Sequence, residues 1–127
     1  MKISAAEHVV MSALWRRAPL GAAEVAEAVA AEGWSDRTVK TMLSRLVAKG
    51  ALRAEPDTDR GGRRHLYTPL IEARAYRRDA ARGLAARLFG GRAAPMVAHL
   101  ADGEGLSTDD LDELEALVRE LKAEREA

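Results

Sequence analysis

A chain of 127 residues, nearly half of them apolar but only 4% aromatic, suits one compact domain or a domain with a short assembly module. The absence of cysteine excludes disulfides, thiolate metal sites and cysteine nucleophiles. A formal net charge of zero hides an asymmetry: residues 1–78 hold 14 Lys and Arg against 9 Asp and Glu, and residues 79–127 hold 6 against 11, as expected of two halves with two jobs.

The first predicted helix opens at Ser4-Ala5-Ala6-Glu7, a capping box in which serine and glutamate each bond the other's backbone N–H. Val10 and Leu14, with Met11 and Trp15 beside them, recur at helical spacing to about Arg17. Ala18-Pro19-Leu20-Gly21 then breaks the pattern. A second helix is expected over 22–31, with Val25, Ala28 and Val29 inside and Glu24, Glu27 and Glu32 exposed. The third starts at Ser35, a good N-cap, with Asp36 in the first turn, where the helix dipole favours an anion. It runs to Lys49, and Gly50 suits its C-cap.

The period then changes. Residues 51–55 read as a short strand, 56–64 as a polar turn containing glycine, and 65–70 as a second strand, together a hairpin with a basic tip. A long helix is expected over 72–89, with Tyr76, Leu84 and Leu88 on its inner side, ended by Gly90-Gly91. A short helix covers 95–101. The last one, capped by Ser107, carries Leu111, Leu114, Leu117, Val118 and Leu121. The predicted fold is therefore mainly α with a small β-hairpin: an N-terminal winged helix-turn-helix over 1–71, followed by C-terminal dimerisation helices over 72–127.

At a hundred degrees per residue, Val39, Leu43, Leu46 and Val47 share one side of the third helix, flanked by Met42. The other side carries Arg37, Thr38, Thr41, Ser44, Arg45 and Ala48, with no acid beyond the first turn. Small hydroxyl side chains and arginines suit a helix in a major groove, where arginine pairs with guanine and the threonine methyl meets thymine. Arg37, Thr38, Thr41 and Arg45 are the candidates for base contacts. Lys40, Ser44 and Lys49 are the candidates for phosphate contacts, which position a protein without reading sequence. Arg60, Arg63 and Arg64 at the hairpin tip, beside Gly61-Gly62, fit the same task, with Asp57 and Asp59 weakening the field there. The partner implied is double-stranded DNA.

The seam of Leu111, Leu114, Val118 and Leu121, widened by Leu117, has the spacing of helices that pack on one another. Joined by Leu84 and Leu88, it predicts a homodimer, which also matches a two-fold DNA site. His8, His65 and His99 lack metal-ligand spacing, and neither Gly61-Gly62 nor Gly90-Gly91 carries the residues of a phosphate loop. No catalytic set is recognisable, and no metal or cofactor is expected. No apolar run is long enough to span a bilayer, and Met1-Lys2-Ile3-Ser4 lacks the layout of a secretion signal, so the expected compartment is the cytoplasm.

These residues resemble the penicillinase-repressor (BlaI/MecI) family of bacterial transcription regulators over nearly the whole chain. The likeness rests on Ile3-Ser4 to Glu7, Val10-Met11, Leu14-Trp15, Ala22-Ala23-Glu24-Val25 and Trp34-Ser35. It continues through Thr38-Val39-Lys40-Thr41, Leu43 to Leu46, Lys49-Gly50, Tyr67, Leu88-Phe89-Gly90-Gly91 and the closing Leu-rich acidic helix. The resemblance implies a homodimer that represses from an inverted-repeat operator, often with TACA/TGTA cores. It also implies release by a membrane sensor protease that cuts the C-terminal half. Aligned on the Gly-Gly pair and the final helix, the cut Asn-Phe pair of the antibiotic-responsive members falls at His99-Leu100, so this chain departs from the family there. Two alternatives stay open: a winged-helix regulator released by a small ligand, and a winged-helix module that binds protein rather than DNA.

Overall fold

The computed structural model describes the backbone of residues 1–127 and every side chain except that of Arg60. The elements follow in the order α1 (Ala5–Arg16), β1 (Leu20–Gly21), α2 (Ala22–Ala28), α3 (Asp36–Ala48), β2 (Leu52–Pro56), β3 (His65–Pro69), α4 (Ala73–Phe89), α5 (Ala93–Ala101) and α6 (Thr108–Glu126). Short 3-10 turns cover Ala30–Glu32 and Thr58–Arg60. The fold is a winged helix-turn-helix with further helices, as the sequence predicts.

The helix starts obey local chemistry. Ser4 Oγ accepts from the Glu7 N–H at 3.1 Å, and Glu7 Oε1 accepts from the Ser4 N–H at 2.9 Å, completing the capping box. Ser35 Oγ accepts from the Thr38 N–H, and Ser107 Oγ from the Asp110 N–H. The second helix is shorter than its apolar pattern: it ends at Ala28, and Ala30–Glu32 tighten into a 3-10 turn before Gly33, whose φ of 72° glycine adopts without strain.

The hairpin strands pair antiparallel, with Leu52 opposite Pro69 and Pro56 opposite His65. A strand that the sequence reading leaves as a break, β1, pairs on the other side of β3, with Leu20 opposite Tyr67. The sheet order is therefore β1-β3-β2.

The chain divides into two compact units, residues 1–78 and 79–127. The division lies seven residues beyond the expected 71/72 boundary, because the first turns of α4 belong to the first unit. The Trp15 indole N–H donates to the Ile71 carbonyl at 3.0 Å. The rings of His8, Trp15 and Tyr76 lie within 6 Å of one another, and the Arg77 guanidinium sits over Trp15 at 5.9 Å.

The first unit has an apolar core. Val10, Met11 and Leu14 of α1, Val25 of α2, Val39, Met42, Leu43 and Leu46 of α3, and Leu52 of β2 are buried together. The Glu7 carboxylate of α1 is buried as well, and its Oε1 also accepts from Lys49 Nζ at 2.6 Å, while that ammonium donates to the Lys2 carbonyl at 2.9 Å. The second unit is built differently. Among its described residues no side chain is buried, and Leu88, Leu100, Leu111, Leu117, Val118 and Leu121 stand exposed.

Two outcomes are expected. Leu46→Ala removes a fully buried side chain and lowers the unfolding free energy by about 2–5 kcal/mol in a urea titration. The lysine ammonium and the capping N–H hold the Glu7 carboxyl below the ordinary glutamate range. Because its folded pKa is depressed, Glu7 stabilises the fold above the unfolded pKa, and this contribution is lost as pH falls through the folded value. Glu7→Gln should therefore cost about 1–2 kcal/mol at neutral pH and flatten the acid side of the stability curve.

Candidate nucleic-acid interface

One helix organises the site. Burial of Val39, Met42, Leu43 and Leu46 turns the opposite side of α3 to solvent, so Arg37, Thr38, Lys40, Thr41, Ser44, Arg45 and Ala48 are all exposed. Asp36 is the only acid in the helix and lies in its first turn. The two threonines are held by their neighbours. Thr38 Oγ1 accepts from Ser35 Oγ at 3.0 Å, and Thr41 Oγ1 donates to the Arg37 carbonyl at 3.0 Å. With its hydroxyl proton engaged, Thr41 offers a methyl group and an acceptor, a pairing suited to thymine and to an exocyclic amine.

The hairpin tip is tied to the rest of the first unit by one arginine. Arg64 is half-buried, and its guanidinium forms an ion pair with Glu24 Oε1 of α2 and lies 3.2 Å from Asp57 Oδ2 at the end of β2. Glu24 Oε1 also accepts from the Gly21 N–H at 3.2 Å, and Oε2 lies 3.8 Å from Arg17. These contacts, the Gly21 N–H and then the Arg64 guanidinium, hold the Glu24 carboxyl below its ordinary range. A Cβ on Gly21 would stand 3.0 Å from Arg64 Cζ, so the guanidinium lies directly against the glycine backbone. Inside the turn, the Asp57 N–H donates to the Arg64 carbonyl and the Gly62 N–H to the Asp57 carbonyl, both at 2.8 Å.

This geometry changes three expectations. Lys49 and Arg64, read from the sequence as outward phosphate contacts, are each bound to carboxylates of the same unit. Asp57, read as weakening the field at the tip, is buried and paired with Arg64, so its charge is largely balanced where it stands. Glu24, expected to be a solvated charge, is half-buried at the centre of the network. Arg63 is exposed, while the side chain of Arg60 lies outside the described residues.

Lys40 and Ser44 of α3 line one cleft with Gly21, Arg63, Arg64, His65 and Tyr67, so helix and wing share a surface. Sequence reasoning missed Gly21, Glu24, His65 and Tyr67 as parts of this site. The one legible signal was Gly21-Ala22-Ala23-Glu24, which has the spacing of a capping box.

Within the second unit, Leu84, Leu88, Leu111, Leu117, Val118 and Leu121 are exposed and Leu114 is partly covered. His99 and Leu100 lie in the last turn of α5, with the His99 ring edge-on to Phe89 at 5.2 Å.

The sequence profile of the penicillinase repressor family matches residues 3–120. The chain is 31% identical over 122 residues to the penicillinase repressor of Bacillus licheniformis, covering 95% of this chain and 92% of that protein. It is 25% identical over 118 residues to the methicillin resistance regulatory protein MecI of Staphylococcus aureus, covering 92% and 93%. Among solved structures, the DNA-binding domain of the repressor BlaI matches with 37% identity and a TM-score of 0.50, over 57% of this chain and 84% of that domain.

The wing tether has a measurable consequence. Arg64→Ala should speed amide hydrogen exchange at Asp57 and Gly62, and cost about 1–2 kcal/mol of stability in a denaturant titration. Exchange at Val10 and Leu43, in the core, should change only as far as global stability does.

Proposed function

The chain belongs to the penicillinase repressor family of DNA-binding transcriptional repressors, and on that premise we propose that it acts as a homodimer on an inverted-repeat operator. The observation that carries the reading is the outer face of α3: exposed arginines and small hydroxyl residues, with no acid beyond the first turn. Arg37, Thr38, Thr41 and Arg45 read base edges from the major groove. Lys40, Ser44 and the wing arginines Arg60 and Arg63 hold phosphates and set the register.

Dimerisation uses the second unit. A helical segment with many accessible leucine and valine positions and no buried side chain among its described residues gains little from folding alone. A second copy covers Leu84, Leu88, Leu111, Leu114, Leu117, Val118 and Leu121 by two-fold symmetry. Linking two reading units raises affinity through effective concentration, so loss of the linkage releases DNA without any ligand pocket. Proteolysis of the C-terminal half by a membrane sensor protease achieves that loss. The His99-Leu100 bond lies in the final turn of α5, where helices fray, next to the 102–105 break.

The test is a titration against DNA from upstream of the chain's own gene, beside scrambled DNA, at several salt concentrations. Selective binding that weakens steeply with salt is expected, and equal weak binding to both DNAs, with no selective site elsewhere in the genome, would refute the proposal. Arg37→Ala and Arg45→Ala should each cost about 1–3 kcal/mol of binding and relax specificity locally. Leu111→Glu with Val118→Glu should yield monomers by sedimentation and lose the affinity gained from linkage.

A further inference from the structure

The cleft between α3 and the wing is lined by basic and hydroxyl side chains. It has a volume of about 390 Å³ and draws its lining from three places: Gly21 and Ala22, Lys40 and Ser44 of α3, and Arg63 to His65 with Tyr67 on the wing. Its side-chain polar groups are an ammonium, two guanidinium groups, an imidazole and two hydroxyls, and no carboxylate lines it. Two further clefts of comparable size, between α1 and α2, both include glutamates: Glu24 and Glu27 in one, Glu32 in the other. Cations and hydroxyl donors without acids, in a recess wider than one side chain, suit a singly charged oxyanion.

Arg64 differs from the other cations of the cleft. Its guanidinium is bound by Glu24 and Asp57 and lies against Gly21. Arg63 and His65, its neighbours on either side along the wing, are exposed, and among the described residues neither is held by such a pair of carboxylates. The fork therefore fixes the wing relative to α2, and alternate residues of the wing are left to face a ligand.

Resting on the DNA-binding reading above, we propose that this cleft seats a single phosphodiester of the DNA backbone between Lys40, Ser44, Arg63, His65 and Tyr67. Arg64 is a positioning residue that builds the wall of the seat and does not neutralise the phosphate. The seat makes α3 and the wing grip the same phosphate, so it sets how far the helix enters the groove. His65 and Tyr67 thereby join the interface, and Arg64 leaves it.

The experiment uses the full chain and a duplex enriched from random sequence by the wild-type protein. Each phosphate of one half-site is replaced in turn by an uncharged methylphosphonate. The seat predicts one position at which replacement weakens wild-type binding about tenfold, as expected for loss of a charged contact. At that same position, replacement weakens Lys40→Ala, Ser44→Ala and His65→Ala less than it weakens the wild type. Variants that remain as sensitive as the wild type, or that lose sensitivity at three different positions, overturn the shared seat. So does saturation of the cleft by millimolar inorganic phosphate with no single-phosphate effect on DNA, which would assign it to a small anion.

Salt dependence separates the role of Arg64. Lys40→Ala should lower the slope of log affinity against log salt by about one, the signature of a neutralised phosphate. Arg64→Ala and Arg64→Lys should weaken binding while leaving that slope at the wild-type value. A slope reduced by Arg64→Ala makes it a phosphate ligand and overturns the assignment. Failure of the wild-type chain to enrich any sequence would refute the repressor reading and the seat together, whereas enrichment without a shared phosphate refutes the seat alone.

Discussion

Burial of Val39, Met42, Leu43 and Leu46 sets the rotation of α3 about its own axis, and the rest of the interface follows from that rotation. Each such side chain contributes roughly 1.5–3 kcal/mol when removed from water, so turning the helix by one residue would expose several of them at once. The exposed side is therefore a by-product of the core. Both ends of the helix are secured as well: Ser35 caps the start, and Lys49, just past the end, bonds the buried Glu7 of α1. A rigid helix with a fixed outer face gives the arginines a defined geometry before any ligand arrives, which lowers the entropy lost on binding.

The same constraint sorts the charges of the first unit. Its surplus of basic residues is not spread evenly. Glu7 takes up Lys49, and Glu24 with Asp57 takes up Arg64. Arg37, Lys40 and Arg45 are left on the outer side of α3, and Arg63 on the wing. The lowered pKa values of Glu7 and Glu24 are the electrostatic record of this pairing, since a carboxylate gains from a cation and an N–H donor only in its charged form. Cations held by carboxylates and cations left exposed are thus separated by where the carboxylates stand.

The second unit answers to another constraint. Its helices are short of aromatic residues and carry leucines that find no cover within the unit. Such a segment is suited to assembly rather than to a private core. Under the proposed homodimer reading, a self-contained reading unit and a unit completed by a second copy would divide the labour and give repression a weak point at the linkage, which is where the proposed proteolysis would act.

Much of this was legible along the chain. The capping box at Ser4, the caps at Ser35 and Ser107, the two faces of α3 and the hairpin all depend on residues a few positions apart, and periodicity and caps report such relations directly. The inner and outer residues of α3 followed from its 3.6-residue turn alone. Strand β1 was invisible because two residues cannot show an alternation; it exists because β3 offers a free edge. The early end of α2 was hidden for a related reason, since its apolar spacing continues into the 3-10 turn at Ala30–Glu32. Glu7 and Glu24, which pair with Lys49 and Arg64, lie 42 and 40 residues away from them in sequence. No local pattern encodes such distances, so whether a lysine or arginine faces a ligand or a buried carboxylate was decided only when the helices packed.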